Sequence, residues 1–161
     1  VNGYHSERRF LDVLNSGVAA AAFFNLTKAE ERVKGTSGMY WQKLKHKLGG
    51  VAGIENYEYK DIIRNIHDDI EREERVYPVV FPQLDRTPRA GKDAIVLKNS
   101  TPELFKEFMS SSIELIKHKE AEHRIIILNS WNEWGEGNYV EPDTVFGHGY
   151  LDAISQAINE G

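Results

Sequence analysis

The stretch Arg124-Ile-Ile-Ile-Leu128, followed at once by Asn129-Ser-Trp-Asn-Glu-Trp-Gly-Glu-Gly137, decides the fold. A β-branched run without polar alternation is the pattern of a parallel strand covered on both faces. The abrupt change to indoles, amides and carboxylates marks the loop that follows it. Upstream, Val76-Tyr-Pro-Val-Val-Phe81 reads as a second buried strand, ending in a turn-rich loop from Pro82 to Lys92. Between the two strands, Thr101 is a good N-cap and Pro102 suits the first helical position. Leu104, Phe105, Phe108, Met109, Ile113 and Ile116 then recur at helical spacing. Strand, helix and strand make a βαβ unit. Tyr150, Leu151, Ile154, Ala157 and Ile158 predict a last amphipathic helix packed behind the second strand.

The N-terminal half is less regular. A helix is expected around Ser6 to Leu14, and Val18 to Phe24 reads as helix or strand. Thr36 to Leu48 predicts a helix capped by Gly49-Gly50. Ile62, Ile63, Ile66 and Ile70 predict another, whose solvated end is the mixed-charge run Asp68 to Arg75. Alternating strands and helices give an α/β class with a parallel sheet. The two or three strand–helix pairs visible are too few for a closed eight-stranded barrel, which needs about 250 residues. The chain has 161 residues and begins at Val1 rather than Met, so residues 1–161 read as one domain cut from a longer protein.

Composition narrows the partners. With 40% hydrophobic and 28% charged residues and a net charge of -5, the chain has no basic stripe for nucleic acid. No apolar run approaches the roughly 18 residues of a membrane span. Zero cysteines exclude disulfides and thiolate metal sites. His5, His46, His67, His118 and His123 lack zinc-type spacing, so no metal and no cofactor is expected. Localisation is open on composition.

In parallel α/β folds the site lies at the carboxyl ends of the strands. Two loops qualify, and their parent strands are adjacent. The loop after Leu128 gathers Trp131, Asn132, Glu133, Trp134, Glu136, Tyr139, Glu141 and Asp143; the loop after Phe81 holds Asp85, Arg86, Thr87 and Arg89. Aromatic rings suit the apolar face of a pyranose, and amides and carboxylates suit its hydroxyls. Glycosidic chemistry usually takes two carboxyl groups, for which Glu133 and Glu136 are the candidates. Their separate roles do not follow from spacing. Asp85 and Arg89 are candidates for sugar hydroxyls or phosphate, or for pairing with each other. His148 reads as a surface or capping residue.

Trp131-Asn-Glu-Trp-Gly-Glu-Gly-Asn-Tyr-Val-Glu-Pro-Asp143, with Gly147 and Tyr150-Leu151, resembles the WbsX family of lipopolysaccharide and polysaccharide biosynthesis. That family is similar to glycoside hydrolase family 99. Tyr77-Pro78, Phe81-Pro82, Asp85, Thr87, Arg89 and Ser100-Thr-Pro-Glu103 extend the resemblance. Arg86 stands where the family usually has Asn, and Leu84 where an aromatic is common. The resemblance implies that the chain is the C-terminal portion of a (β/α)8 barrel, an incomplete part of a glycoside hydrolase-like catalytic domain. It implies an oligosaccharide or polysaccharide substrate with α-glycosidic bonds, and tilts localisation toward the cytoplasm. It further implies Glu136 as general acid/base and Glu133 as the group assisting the sugar's 2-hydroxyl, with retention of configuration. Trp131, Asn132, Trp134, Tyr139, Glu141, Asp85 and Arg89 would bind substrate. A sugar-nucleotide-dependent glycosyltransferase and a non-catalytic sugar-binding domain are the alternatives. An incomplete barrel has open edges, so self-association is also expected.

Overall fold

The computed structural model describes residue 12 and residues 14–47 and 53–161. Strand β3 (Val76–Val80) is the centre, flanked by β1 (Ala21–Phe23) and β6 (Ile127–Leu128), both parallel to it. Ala21 to Phe23 lie opposite Val76 to Pro78, and Val79–Val80 lie opposite Ile127–Leu128. Pro78, which has no N–H to give, falls where β3 passes from one neighbour to the other. The ambiguous run Val18 to Phe24 therefore contains a strand.

A second sheet lies beside the first. In it β2 (Glu55–Glu58) runs parallel to β5 (Ile95–Lys98), and β4 (Leu84–Asp85) runs antiparallel to β5. The segment expected to be only a turn-rich loop thus contains a strand and a short helix, α3 (Thr87–Ala90). Among the described residues the strands do not close into a barrel. The fold is mixed α/β with parallel sheet portions.

Helix α4 (Pro102–Ile116) follows the sequence reading closely: Thr101 Oγ1 accepts the Leu104 N–H at 3.3 Å, and Phe105, Phe108, Met109 and Ile116 are buried. Helix α5 (Gly149–Glu160) packs against α4 through Tyr150, Ala153 and Ala157, whereas Ile158 is exposed. Phe105 and Tyr150 meet edge to face.

Three expectations are corrected. The isoleucine stripe is not one helix: α2 (Tyr59–Arg64) stops at Asn65, and a capping box on Asp68 and Glu71 opens a separate 3-10 turn. All four isoleucines are still buried. The Asp68 end is not simply solvated, because Asp68 pairs with Lys28 and Arg32 and Glu71 is buried. Those partners lie on the first part of α1 (Leu26–Lys47), which breaks at Gly35, where φ is 65°; the helix expected from Thr36 is the part that follows the break. The left-handed region suits glycine there. Finally, Arg124 to Leu128 is not covered on both faces: Ile126 and Leu128 pack on the core, and Ile125 and Ile127 are exposed. Gly49-Gly50 and most of the first expected helix lie outside the described residues.

Phe81 directly follows the central strand, at 0% exposure. Its ring meets Phe24, Tyr59 and Phe108 edge to face, with centroids 5.5, 6.1 and 5.3 Å away. Its carbonyl accepts the Tyr59 hydroxyl at 2.6 Å. Phe81→Ala is expected to cost about 3–5 kcal/mol in urea unfolding, and a loss under 1 kcal/mol, roughly that of a surface change, would contradict this packing.

Glu30 on α1 is 9% exposed, and its Oε1 has no hydrogen-bond partner. Burial pushes its carboxyl up to about 7; Lys34 opposes this, Glu55 and Glu31 add to it, and Arg86 opposes it. The folded chain therefore keeps a proton that the unfolded chain releases near 4.5. Stability from this group is full below 4.5, falls as pH rises to about 7, and is flat above. Melting temperature against pH for Glu30→Gln is expected to lose that slope, and a slope equal to the unaltered protein's would contradict it.

Candidate active site

The loop after β6 is held by its own hydrogen bonds. Asn129 N–H donates to Val80 O at 2.8 Å, which ties the loop's first residue to the end of β3. Beyond it, β7 (Asn132–Glu133) and β8 (Asn138–Tyr139) form a short hairpin around the 3-10 turn Trp134–Glu136. Gly137 closes that turn at φ 55°, and a Cβ there would lie 3.3 Å from Asp85 Cβ. The glycine thus permits both the left-handed backbone and the close approach of the other loop.

Two residues missed as site elements organise this hairpin. Asn138, 1% exposed, accepts the Ser130 N–H through Oδ1 at 3.2 Å, and its carbonyl accepts the Ser130 hydroxyl at 2.8 Å. Ser130 Oγ in turn accepts the Glu133 N–H at 3.1 Å. The signal was legible: Ser130-Trp-Asn-Glu133 has the Ser-x-x-Glu spacing by which a hydroxyl meets the N–H three residues on.

The loop after β3 brings the positive charge. Asp85 Oδ1 accepts both the Thr87 N–H at 2.9 Å and the Thr87 hydroxyl at 2.6 Å, a turn that opens α3. Arg89 on α3 reaches across to the other loop. Its Nη2 donates to both Glu133 oxygens at 3.1 Å, and its Nη1 donates to Glu136 Oε1 at 3.2 Å. Arg86 Nε lies 3.5 Å from the same Glu136 oxygen. Glu133 and Glu136 thus share one guanidinium, and Glu136 has a second beside it. Glu136 is the less exposed of the two carboxylates, at 19% against 36%.

The aromatic residues belong to the same loop as the two glutamates. Trp134 and Tyr139 are stacked, with centroids 3.6 Å apart and planes 14° from parallel. Trp134 Nε1 donates to Glu141 Oε2 at 2.7 Å. One indole face is covered by Tyr139, yet Trp134 remains half exposed, as does Trp131. Asn132 is exposed beside them. Burial pushes the Tyr139 phenol above its ordinary value, with Gln83 opposing and Asp143 adding. Asp143 Oδ1 is used within its own turn, accepting the N–H groups of Val145 and Phe146. His148 precedes α5 without a side-chain capping bond.

Two other features lack the chemistry. His67 Nε2 lies 3.0 Å from Ser111 Oγ and 3.3 Å from Ser112 Oγ, and its Nδ1 lies 3.5 Å from Glu71 Oε2. Both hydroxyls donate to Phe108 O at 2.8 Å, so they accept from the imidazole and no activated nucleophile is formed. An apolar groove between α4, α5 and β6 is lined by Met109, Ile113, Ile126, Leu128 and Ile154, and by no carboxylate of the loops.

A carboxylate pair bridged by arginine, with exposed indoles on the same loop, lies at the carboxyl ends of adjacent parallel strands, where α/β proteins place their sites. The chain matches the family described as Glycosyltransferase WbsX over residues 4–154 and belongs to that family. It is similar to two proteins, each named "Uncharacterized protein WxcX", from two strains of Xanthomonas campestris pv. campestris, one of them strain B100. Identity is 31% in both, over 104 and 103 residues, or 63% of this chain. The match spans only 15% of the length of those relatives. No solved structure matches.

Asn138→Ala leaves the Ser130 N–H without its acceptor and is expected to cost about 1–3 kcal/mol in urea unfolding. Tryptophan fluorescence is expected to change with it, because the hairpin presents Trp131 and Trp134. An unchanged stability and spectrum would show that Asn138 does not hold the hairpin.

Proposed function

We propose that the chain bears the carboxylate pair of a carbohydrate-active enzyme that acts on α-glycosidic bonds of a bacterial polysaccharide or lipopolysaccharide. The observation that carries this reading is the convergence of Glu133 and Glu136 on one guanidinium beside exposed indoles. Glycosidic cleavage needs one carboxyl that gives a proton to the leaving oxygen and a second that acts at the sugar ring. Two carboxylates held within the reach of one arginine are close enough to serve a single sugar. By the family resemblance, Glu136 is the general acid/base and Glu133 assists the substrate's 2-hydroxyl, a retaining reaction. Trp131 and the open face of Trp134 stack on the pyranose, and Asn132, Tyr139 and Glu141 border its hydroxyl rim.

The chain is read as the C-terminal portion of a (β/α)8 barrel, in keeping with helices that follow parallel strands and with the exposed Ile125 and Ile127. Strands outside residues 1–161 would complete both the barrel and the pocket. A second reading is a sugar-nucleotide-dependent transferase of polysaccharide biosynthesis, favoured by the family's description as a glycosyltransferase.

The complete natural protein, incubated with defined α-mannosides and separately with sugar nucleotides plus acceptor, tests both. Glu133→Gln and Glu136→Gln are each expected to lower hydrolysis by about 100-fold or more, the usual scale of acid/base loss, with the fold unchanged by circular dichroism. Turnover only with a sugar nucleotide would replace hydrolase with transferase. Saccharide binding without turnover would leave a sugar-binding domain.

A further inference from the structure

We infer that Arg89 is a positioning residue that holds Glu133 and Glu136 as a pre-set pair, and that Asp85 positions Arg89 through Thr87. The inference rests on the carboxylate pair proposed above and deepens it. Neither residue then meets the substrate as a sugar ligand.

The guanidinium geometry is the first ground. Nη1 points to Glu136 at 3.2 Å, and Nη2 points to both oxygens of Glu133 at 3.1 Å. A planar fork fixes the angle as well as the spacing of the groups it bridges, which a lysine ammonium does not. Two neighbouring carboxylates repel, and a cation between them removes the reason for them to splay apart. The Gly135 position is also crowded from this side: a Cβ there would lie 3.0 Å from Glu133 Oε1 and 3.7 Å from Arg89 Nη2. The bare backbone of Gly135 allows the pair to close over the turn.

Asp85 supplies the second ground. One of its oxygens takes both the backbone and the side-chain proton of Thr87, two residues before Arg89. Its Cβ also backs Gly137, directly after Glu136. Asp85 thus touches the start of the arginine's helix and the end of the glutamates' turn. Antiparallel pairing of Asp85 with Val96 anchors it to the second sheet. A rigid element is what a clamp needs, because misplacing a catalytic group by about 1 Å costs on the order of 100-fold in rate.

The test has a ligand-free arm and a kinetic arm, both on the complete natural protein. In nitrogen-15 spectra the Arg89 side chain, identified by its loss in Arg89→Lys, is expected to show hindered guanidinium rotation. Rotation is expected to be freed in the Glu133→Gln/Glu136→Gln double variant and in Asp85→Ala. A guanidinium that rotates equally fast in all of them overturns the clamp, whatever the protein acts on. In the kinetic arm, Arg89→Ala and Asp85→Ala are each expected to lower kcat about 100-fold, with KM within about twofold. The Asp85→Ala/Arg89→Ala double variant is expected to be no worse than Arg89→Ala, and Arg89→Lys is not expected to rescue. A raised KM with unchanged kcat, or losses that multiply, would make the two residues sugar ligands and overturn the proposal. If neither glycosides nor sugar nucleotides are turned over, the enzymatic reading fails, and the spectra alone decide the clamp.

Discussion

Parallel pairing of β3 with β6 is the constraint on which the site depends. Parallel strands deliver their carboxyl ends to the same side, so the chains that leave them begin together. Here the Asn129 N–H donates to Val80 O, one residue past the end of β6, and the two loops start at one height. Phe81, locked by three rings, fixes where β3 stops. From that point one loop turns into β4 and α3, while the other turns into the β7–β8 hairpin. Arg89 and Glu133 are 44 positions apart in sequence, and the strands bring them within 3.1 Å.

Ion pairs on exposed side chains stabilise a fold by little, about 0–1 kcal/mol each. The arginine–carboxylate network is therefore a poor candidate for what holds the two loops. Better ones are the buried Asn138 with Ser130, the capped turn at Asp85, and the contact of Gly137 with Asp85. These fix the backbone, and the charges then find one another across a short gap. Order of cause matters here, because a frame that precedes the ion pairs keeps its shape when a ligand disturbs them.

The readable parts of the sequence were those decided locally. Thr101 and Pro102 start α4 by their own chemistry, and Val76 to Val80 is apolar enough to be a buried strand in any context. Strand β5 was not legible, because Ile95 to Lys98 is short and half-buried and is made a strand by distant β2 and nearby β4. The isoleucine stripe misled for a related reason. Its spacing reports which residues are buried, but Asn65 and the Asp68 capping box break the backbone between them. At the site, residue types announced carboxylates and indoles, whereas partnership across 44 positions left no trace in spacing.

The site as it stands is closed on itself. Glu133 and Glu136 are bound by arginine, Glu141 by the Trp134 indole N–H, and Asp85 by Thr87. On the proposed function, a saccharide hydroxyl entering here exchanges one hydrogen bond for another, and such exchanges yield little net free energy. The outward faces of Trp131 and Trp134 are different, being apolar, exposed and free of any bond that must first break. On the carbohydrate reading, stacking on the indoles therefore supplies most of the attraction, and the polar network supplies orientation. Geometry set before the ligand arrives lowers the ordering that binding must impose, which favours affinity, and on the same reading a carboxylate pair already in place favours the reaction as well.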